Sequence, residues 1–222
     1  MTTRYLVAVL AALLAASCGG SPTSPTPTSF SLSGQVISAL TSSPVAGATV
    51  AIADGPNAGK SATADASGNY SFSGLERGGF TVTASADGFA PQSQGISLTA
   101  PQTISFRLTG TRSLIYSRSL ALNARSGTGS SFRTSRLGRL EIETSWGSAS
   151  NLVRLEFALE AACGTPQYLS NSCPWLYSDR SAVSVPRRTA TVESLAANSY
   201  IVWLTNQGSV GEPTMLNVYL TP

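Results

Sequence analysis

Apolar and polar residues alternate over short runs from Phe30 to Thr109, with Gly, Pro, Asn and Asp between the runs. "FSLSGQV", "ATVAIA", "NYSFSG", "FTVTASA", "GISLTA" and "TISFRLT" each carry a period of two, which predicts strands that turn one face to a core. No window carries a helical stripe of useful length. Strands at this spacing predict an antiparallel β-sandwich. From residue 110 the pattern returns in "RLEIETSW", "NLVRLEFAL", "ATVESL", "SYIVWLTN" and "MLNVYLT", the last two rich in β-branched and aromatic residues. The two stretches do not repeat one another. The chain therefore reads as all-β, with two antiparallel β-sandwich domains in tandem, 30–109 and 110–222, meeting near Gly110.

Ahead of Phe30 the alternation is absent. Residues 1–17 read as a lipoprotein signal peptide: Arg4 supplies the charge, and the apolar run from Tyr5 to Ala16 is too short for a permanent membrane span. "LAASCGG" resembles the bacterial lipobox, which implies lipidation of Cys18, although Ala15 stands where that family more often has Leu. An ordinary signal peptide with an incidental cysteine is the competing reading. In lipoproteins an Asp after the cysteine favours retention at the inner membrane, and Gly19 leans instead towards the outer membrane. Residues 18–29 form a Ser/Pro/Thr-rich linker with three prolines in "GGSPTSPTPTS", an extended tether with no apolar content to bury. An exported protein, lipid-anchored in the bacterial cell envelope, is the expectation.

Export changes the meaning of the cysteines. Cys163 and Cys173 stand ten residues apart, and an oxidising compartment favours a disulfide between them. Closing so short a loop stabilises the fold by about 2–3 kcal/mol on the chain-entropy estimate. A metal pair or a reactive thiol is the alternative, and neither finds a histidine or a third nearby thiol in support.

Composition narrows the chemistry further. The 222 residues include no histidine, so a Ser-His-Asp triad, a Cys-His dyad and His-ligated zinc are excluded. Net charge is +3 overall, −1 over 30–109 and +3 over 110–222, without clustering, and gives no nucleic-acid footprint. No Gly-rich phosphate loop opens a helix, and no cofactor is implied. Glu141 and Glu143 share one face of a strand, as a paired-carboxylate site or, better, as a solvated polar face; Glu156 and Glu160 read likewise. "PRR" at Pro186–Arg188 reads as an exposed turn. Trp146, Trp175 and Tyr177 are the candidates for stacking on a sugar, with packing beneath loops as the competing reading. Trp203 reads as half core.

The first stretch also resembles a known family. Gly34 with Val36, Pro44–Val50, Asp65–Tyr70, Gly74–Phe80 and Gly88 with Phe89 follow, in order, the pattern of the carboxypeptidase regulatory-like domain. That resemblance implies a transthyretin-like sandwich of seven strands in a non-catalytic module, placed among carbohydrate-binding-like folds. The residues themselves explain the pattern as turns. Asp65 accepts backbone N–H bonds, Gly68 takes a positive φ, and Tyr70 and Phe72 point inward. Leu75 plugs a loop, "RGG" makes a hairpin, and Phe80, Val82 and Ala84 line the return strand. Calcium at Asp65 is the rival, and the segment supplies few of the six to eight oxygens about which that ion is ordinarily coordinated.

Residues 115–220 are similar, more faintly, to the pre-peptidase C-terminal-like sandwich, through "GRLEIETSWGSASNLVRLEFAL" and "VESLAANSYIVWLTNQGS". Asn198 replaces that family's Gly, and "NLVRLEF" replaces its Asp-rich segment. Together these readings predict a non-enzymatic envelope lipoprotein with a binding role. Its partners would be the membrane through the lipid and a glycan or an envelope protein, with no nucleic acid. The alternative is a structural or accessory subunit of an envelope assembly.

Overall fold

The computed structural model describes residues 29–181 and 185–222. The signal peptide, Cys18 and all of the linker except Ser29 lie outside the described residues.

The first sandwich is built, in chain order, from β1 (Ser29–Ser38), β2 (Thr49–Ile52), β3 (Ser61–Thr63), β4 (Asn69–Glu76), β5 (Gly78–Ser85), β6 (Gln92–Leu98), β7 (Gln102–Thr103) and β8 (Phe106–Leu108). One sheet has β1 at its centre, between β4 on one side and β7 and β8 on the other. The other sheet runs β3-β2-β5-β6. Pairing is antiparallel except at one edge, where β1 runs parallel to β7 and β8. Period-two alternation turns Leu32, Val36, Tyr70 and Phe72 inward from one sheet against Val50, Phe80, Val82 and Leu98 from the other.

One turn differs from the sequence expectation. "RGG" does not close a hairpin: β4 pairs with β1, while β5 pairs with β2 and β6. The chain arches from one sheet to the facing one, and this is how Tyr70 and Phe80 meet across a single core. A hairpin would have put them on the same sheet face. The fully buried Asn57 holds the arch, donating from Nδ2 to Glu76 O and accepting from Glu76 N, both at 2.8 Å.

The second sandwich comprises β9 (Ser113–Leu122), β10 (Ser126–Arg133), β11 (Gly138–Trp146), β12 (Val153–Leu159), β13 (Tyr177–Asp179), β14 (Arg187–Leu195), β15 (Ser199–Asn206) and β16 (Glu212–Thr221). Its sheets run β10-β15-β12-β13 and β14-β11-β16-β9. Between them lie Leu140, Ile142, Leu155, Phe157, Tyr200, Val202 and Leu216. Both sandwiches are all-β, and the one α-helix among the described residues, α1 (Thr165–Leu169), sits in the loop after β12.

That loop gives the β12–β15 sheet a second buried face. The Cys163–Cys173 disulfide closes the loop, which lies over Ala158, Ile201 and Trp203. Tyr168 stacks on Trp203 with ring centroids 3.8 Å apart and planes within 3°. Gly127 and Gly129 of β10 make the room. A Cβ at Gly127 would fall 2.3 Å from the Tyr168 hydroxyl, and one at Gly129 would fall 3.1 Å from the Trp203 ring.

Candidate functional site

Asp65 is a turn residue. Its Oδ1 accepts from Ser67 N at 2.9 Å and Asn69 N at 2.8 Å, and Gly68 sits at φ +77°. The bond from Asn69 is foremost in holding its carboxyl below the ordinary value. Glu141 and Glu143 do share one half-buried face of β11, and Arg112 bridges both at 2.7 Å while its guanidinium lies 3.3 Å from the centre of the Tyr219 ring. No group of three or more metal-ligating acids, cysteines or histidines occurs among the described residues.

The aromatic candidates do not converge. Trp146 follows Leu140, Ile142 and Thr144 in phase along β11, so its ring enters the sandwich core and is only 6% exposed. Trp175 packs edge-on against Tyr168 in the outer cluster over the disulfide. Tyr177 lies half-buried against the main core of the second sandwich.

Two polar readings are corrected. Glu156 is buried, because the face of β12 that it shares with Ala158 is roofed, and its Oε1 accepts from Ser178 and Arg180. Arg188 is likewise buried in β14 and is no exposed turn; it pairs with Asp179 and donates from Nε to Val153 O at 2.6 Å. Burial alone would raise Asp179, but hydrogen bonds from Ser181 and Arg188 outweigh it and hold the carboxyl below its ordinary value.

A concave site with mixed chemistry lies where the two sandwiches meet. The first sandwich presents the loop after β1 and the "ADGF" turn after β5; the second presents the loop between β10 and β11. Between them opens a cleft of about 430 Å³, with Ser43, Pro44 and Phe89 on one side and Ser135, Arg136 and Pro222 on the other. Arg136 crosses the seam, donating from Nη1 to Asp87 O and from Nη2 to Asp87 Oδ2 at 3.0 Å. Gly88 sits at φ +79°, which favours glycine, and a Cβ there would press on Arg136 Nη1 at 3.1 Å. Thr111 N donates to Gly88 O at 2.8 Å, and Phe89 forms a bridge with Gly110. Pro222 closes the seam, since a Cβ on Gly110 would fall 2.0 Å from its carbonyl oxygen.

Residues 31–109 match the family of carboxypeptidase regulatory-like domains. That segment is a carboxypeptidase regulatory-like domain. No curated protein matches the chain. Among solved structures, a type II cohesin–X-dockerin complex from Acetivibrio cellulolyticus aligns at 20% identity and TM-score 0.32, over 36% of this chain and 58% of that one. The major pilin subunit of Bacillus cereus aligns at 10% identity and TM-score 0.40, over 87% of this chain and 68% of that one. The pre-peptidase C-terminal domain of a Bacillus anthracis collagenase aligns at 8% identity and TM-score 0.34, over 47% of this chain and 89% of that one. This chain spans only 58% and 52% of two such cohesin–dockerin chains.

The regulatory-like domain is of a non-catalytic type, and its closing Gly88–Phe89 signature does more here than end a fold. It carries half of the cleft. Chemically, the cleft offers Arg136 N–H groups that no other described residue takes up, the second carboxylate oxygen of Asp87, and the hydroxyl of Ser43 beside apolar Pro44, Phe89, Leu137 and Pro222. Nothing in the sequence marked Arg136 out from the other arginines. Asp87 drew no reading of its own and Phe89 only closed the family pattern; the docking of the second sandwich makes them part of a site.

Proposed function

We infer that the chain is an exported, lipid-anchored, non-enzymatic binding protein of the bacterial envelope whose site is the inter-sandwich cleft, and that the ligand is a carbohydrate. In this reading residues 1–17 are the signal peptide, Cys18 carries the lipid, 18–29 form the tether, and the domains 30–109 and 110–222 jointly hold the ligand. The observation that carries it is the cleft itself: about 430 Å³, with a planar guanidinium–carboxylate pair beside an apolar wall. Pockets of about 300–1,000 Å³ with a few placed polar groups are the ordinary form of small-ligand sites. Sugars present one hydroxyl-rich edge and one C–H face, and this lining offers a counterpart to each. The Cys163–Cys173 disulfide supports an oxidising compartment.

Calorimetric titration of the whole chain with a panel of oligosaccharides tests the reading. Ala46 is exposed and lines the cleft, so Ala46→Trp fills the space without disturbing the core. Binding by the wild type and its loss in Ala46→Trp is the expected result. Unchanged binding in the filled variant would move the site elsewhere. No oligosaccharide binding by the folded chain, with an envelope protein recovered by cross-linking in cells, would favour the accessory-subunit reading. Separately, Cys18→Ser should release the protein from membranes.

A further inference from the structure

We propose that the cleft selects a neutral sugar over an acidic one, by presenting Arg136 and Asp87 as a single uncharged fork to two neighbouring hydroxyls. The inference rests on the carbohydrate reading given above and specifies its ligand.

The geometry carries the argument. Two guanidinium nitrogens of Arg136 are already committed to Asp87, one to its backbone oxygen and one to Oδ2. The guanidinium charge is therefore compensated before any ligand arrives. What remains is complementary: donors on Arg136 and an acceptor, Oδ1, on Asp87, whose side chain is 95% exposed. A hydroxyl both donates and accepts, so two adjacent hydroxyls can accept from Arg136 and donate to Asp87 Oδ1 at once. An acidic sugar would bring its carboxylate against that of Asp87, and like charges repel at close range, most strongly at low salt because this carboxylate faces water. An ammonium-bearing ligand meets the same difficulty with Arg136. Pro44 and Phe89 from the first sandwich, with Leu137 and Pro222 from the second, line the apolar wall against which the C–H face of the ring packs. Each sandwich supplies one arm of the fork, so neither would select alone.

The test uses sugars matched in every stereocentre and differing only at C6. Oligomers of glucose, mannose and galactose are each compared with the corresponding uronic-acid oligomer, titrated into the whole chain at low salt. The neutral member of the bound pair should bind about two- to fivefold more tightly. Asp87→Asn keeps the shape and removes the charge, and should erase or invert that preference. Because Asp87 is exposed, this variant should fold; its thermal transition provides the control. Equal or tighter binding of the acidic member by the wild type overturns the inference and leaves the carbohydrate reading standing. An unchanged neutral preference in Asp87→Asn overturns it as well. Binding of neither member of any pair overturns both.

Discussion

The two sandwiches bury different things. The first encloses an apolar core with Ser38 and Asn57 as its buried polar residues, and each is spent on backbone: Ser38 Oγ accepts from Leu40 and Thr41, and Asn57 clasps Glu76. The second buries Glu156, Arg188, Glu212, Asn151 and Asn206. Asn151 Nδ2 donates to Glu212 Oε1 at 3.0 Å, and Asn206 Nδ2 to Val210 O at 2.8 Å. Coverage accounts for part of the difference: a sheet with one face in water can keep its charges on that face, but the disulfide loop covers the outer face of β12 and β15, and Glu156 is enclosed there. Arg188, Asn206 and Glu212 lie instead on inward faces, in phase with Ala190, Leu204 and Leu216, and must find partners within the sandwich. One sandwich therefore rests on apolar packing and turns, the other also on enclosed pairs and a covalent clasp.

The comparison can be tested because all three tryptophans, Trp146, Trp175 and Trp203, lie in the second sandwich, so their fluorescence follows that half alone. The largest effects should come from one deletion in each half. Phe106→Ala empties a site that is 1% exposed in the first core and should cost about 3–5 kcal/mol. Arg188→Met strands Asp179 and the Val153 carbonyl in the second and should also cost about 3–5 kcal/mol. In urea, Arg188→Met should shift the tryptophan transition and Phe106→Ala should shift the far-ultraviolet transition with tryptophan little moved. A common shift of both signals in both variants would mean that the seam makes one cooperative unit. Next in size, Cys163→Ser with Cys173→Ser should cost the second half about 2–3 kcal/mol, and Trp203 emission should change as Tyr168 leaves its stack.

Smaller still is the response to acid. The folded-state pKa of Asp179 is depressed below 3.8, so its contribution is complete above that value and disappears as pH falls through the folded-state value. Asp65 in the first half is depressed too but is fully exposed, and its effect should be the smallest of all. Denaturation at stepped pH below 4.5 should therefore weaken the tryptophan transition more steeply than the other, and Arg188→Met should remove much of that extra slope. Equal slopes in the two halves would contradict the contrast drawn from burial.

How far the sequence foretold this depends on which face of a strand did the telling. β4, β5, β11 and β16 alternate strictly, and their inward residues were legible. β10 was missed because "SGTGSSFR" has almost no apolar content; its glycines make room for the Tyr168–Trp203 stack, a demand set by a loop some forty residues away along the chain. β9 was missed because its apolar residues at Leu114 and Ile115 are consecutive, with a register shift opposite them. "TISFRLT" read as one strand and is two short pieces in one register on β1, interrupted where Ile104 O accepts from the Tyr70 hydroxyl at 2.7 Å and Gln35 N donates to Ser105 Oγ at 3.2 Å. Glu156 was misjudged for the reason that hid β10: a period of two describes one covered face and is silent about a second. Arg188 instead lies on the inward face of β14, in phase with Ala190, where "PRR" offers no apolar alternation to reveal it. The cleft was illegible for a different reason. Asp87 and Arg136 are 49 residues apart, and no local pattern records that two folded halves will bring them together.

The parallel edge of the first sandwich has a mechanical consequence. The chain enters at the start of β1 and leaves towards the second sandwich from the end of β8. Because these two strands run in the same direction and pair at Val36–Phe106, Ile37–Arg107 and Ser38–Leu108, tension between Ser29 and Thr111 pulls them along their length in opposite senses. The bonds of that ladder then share the load and must fail together. Strands drawn apart from one end would instead surrender their bonds singly. A pull along the chain thus loads the parallel pair in shear, and the first sandwich resists opening in that direction.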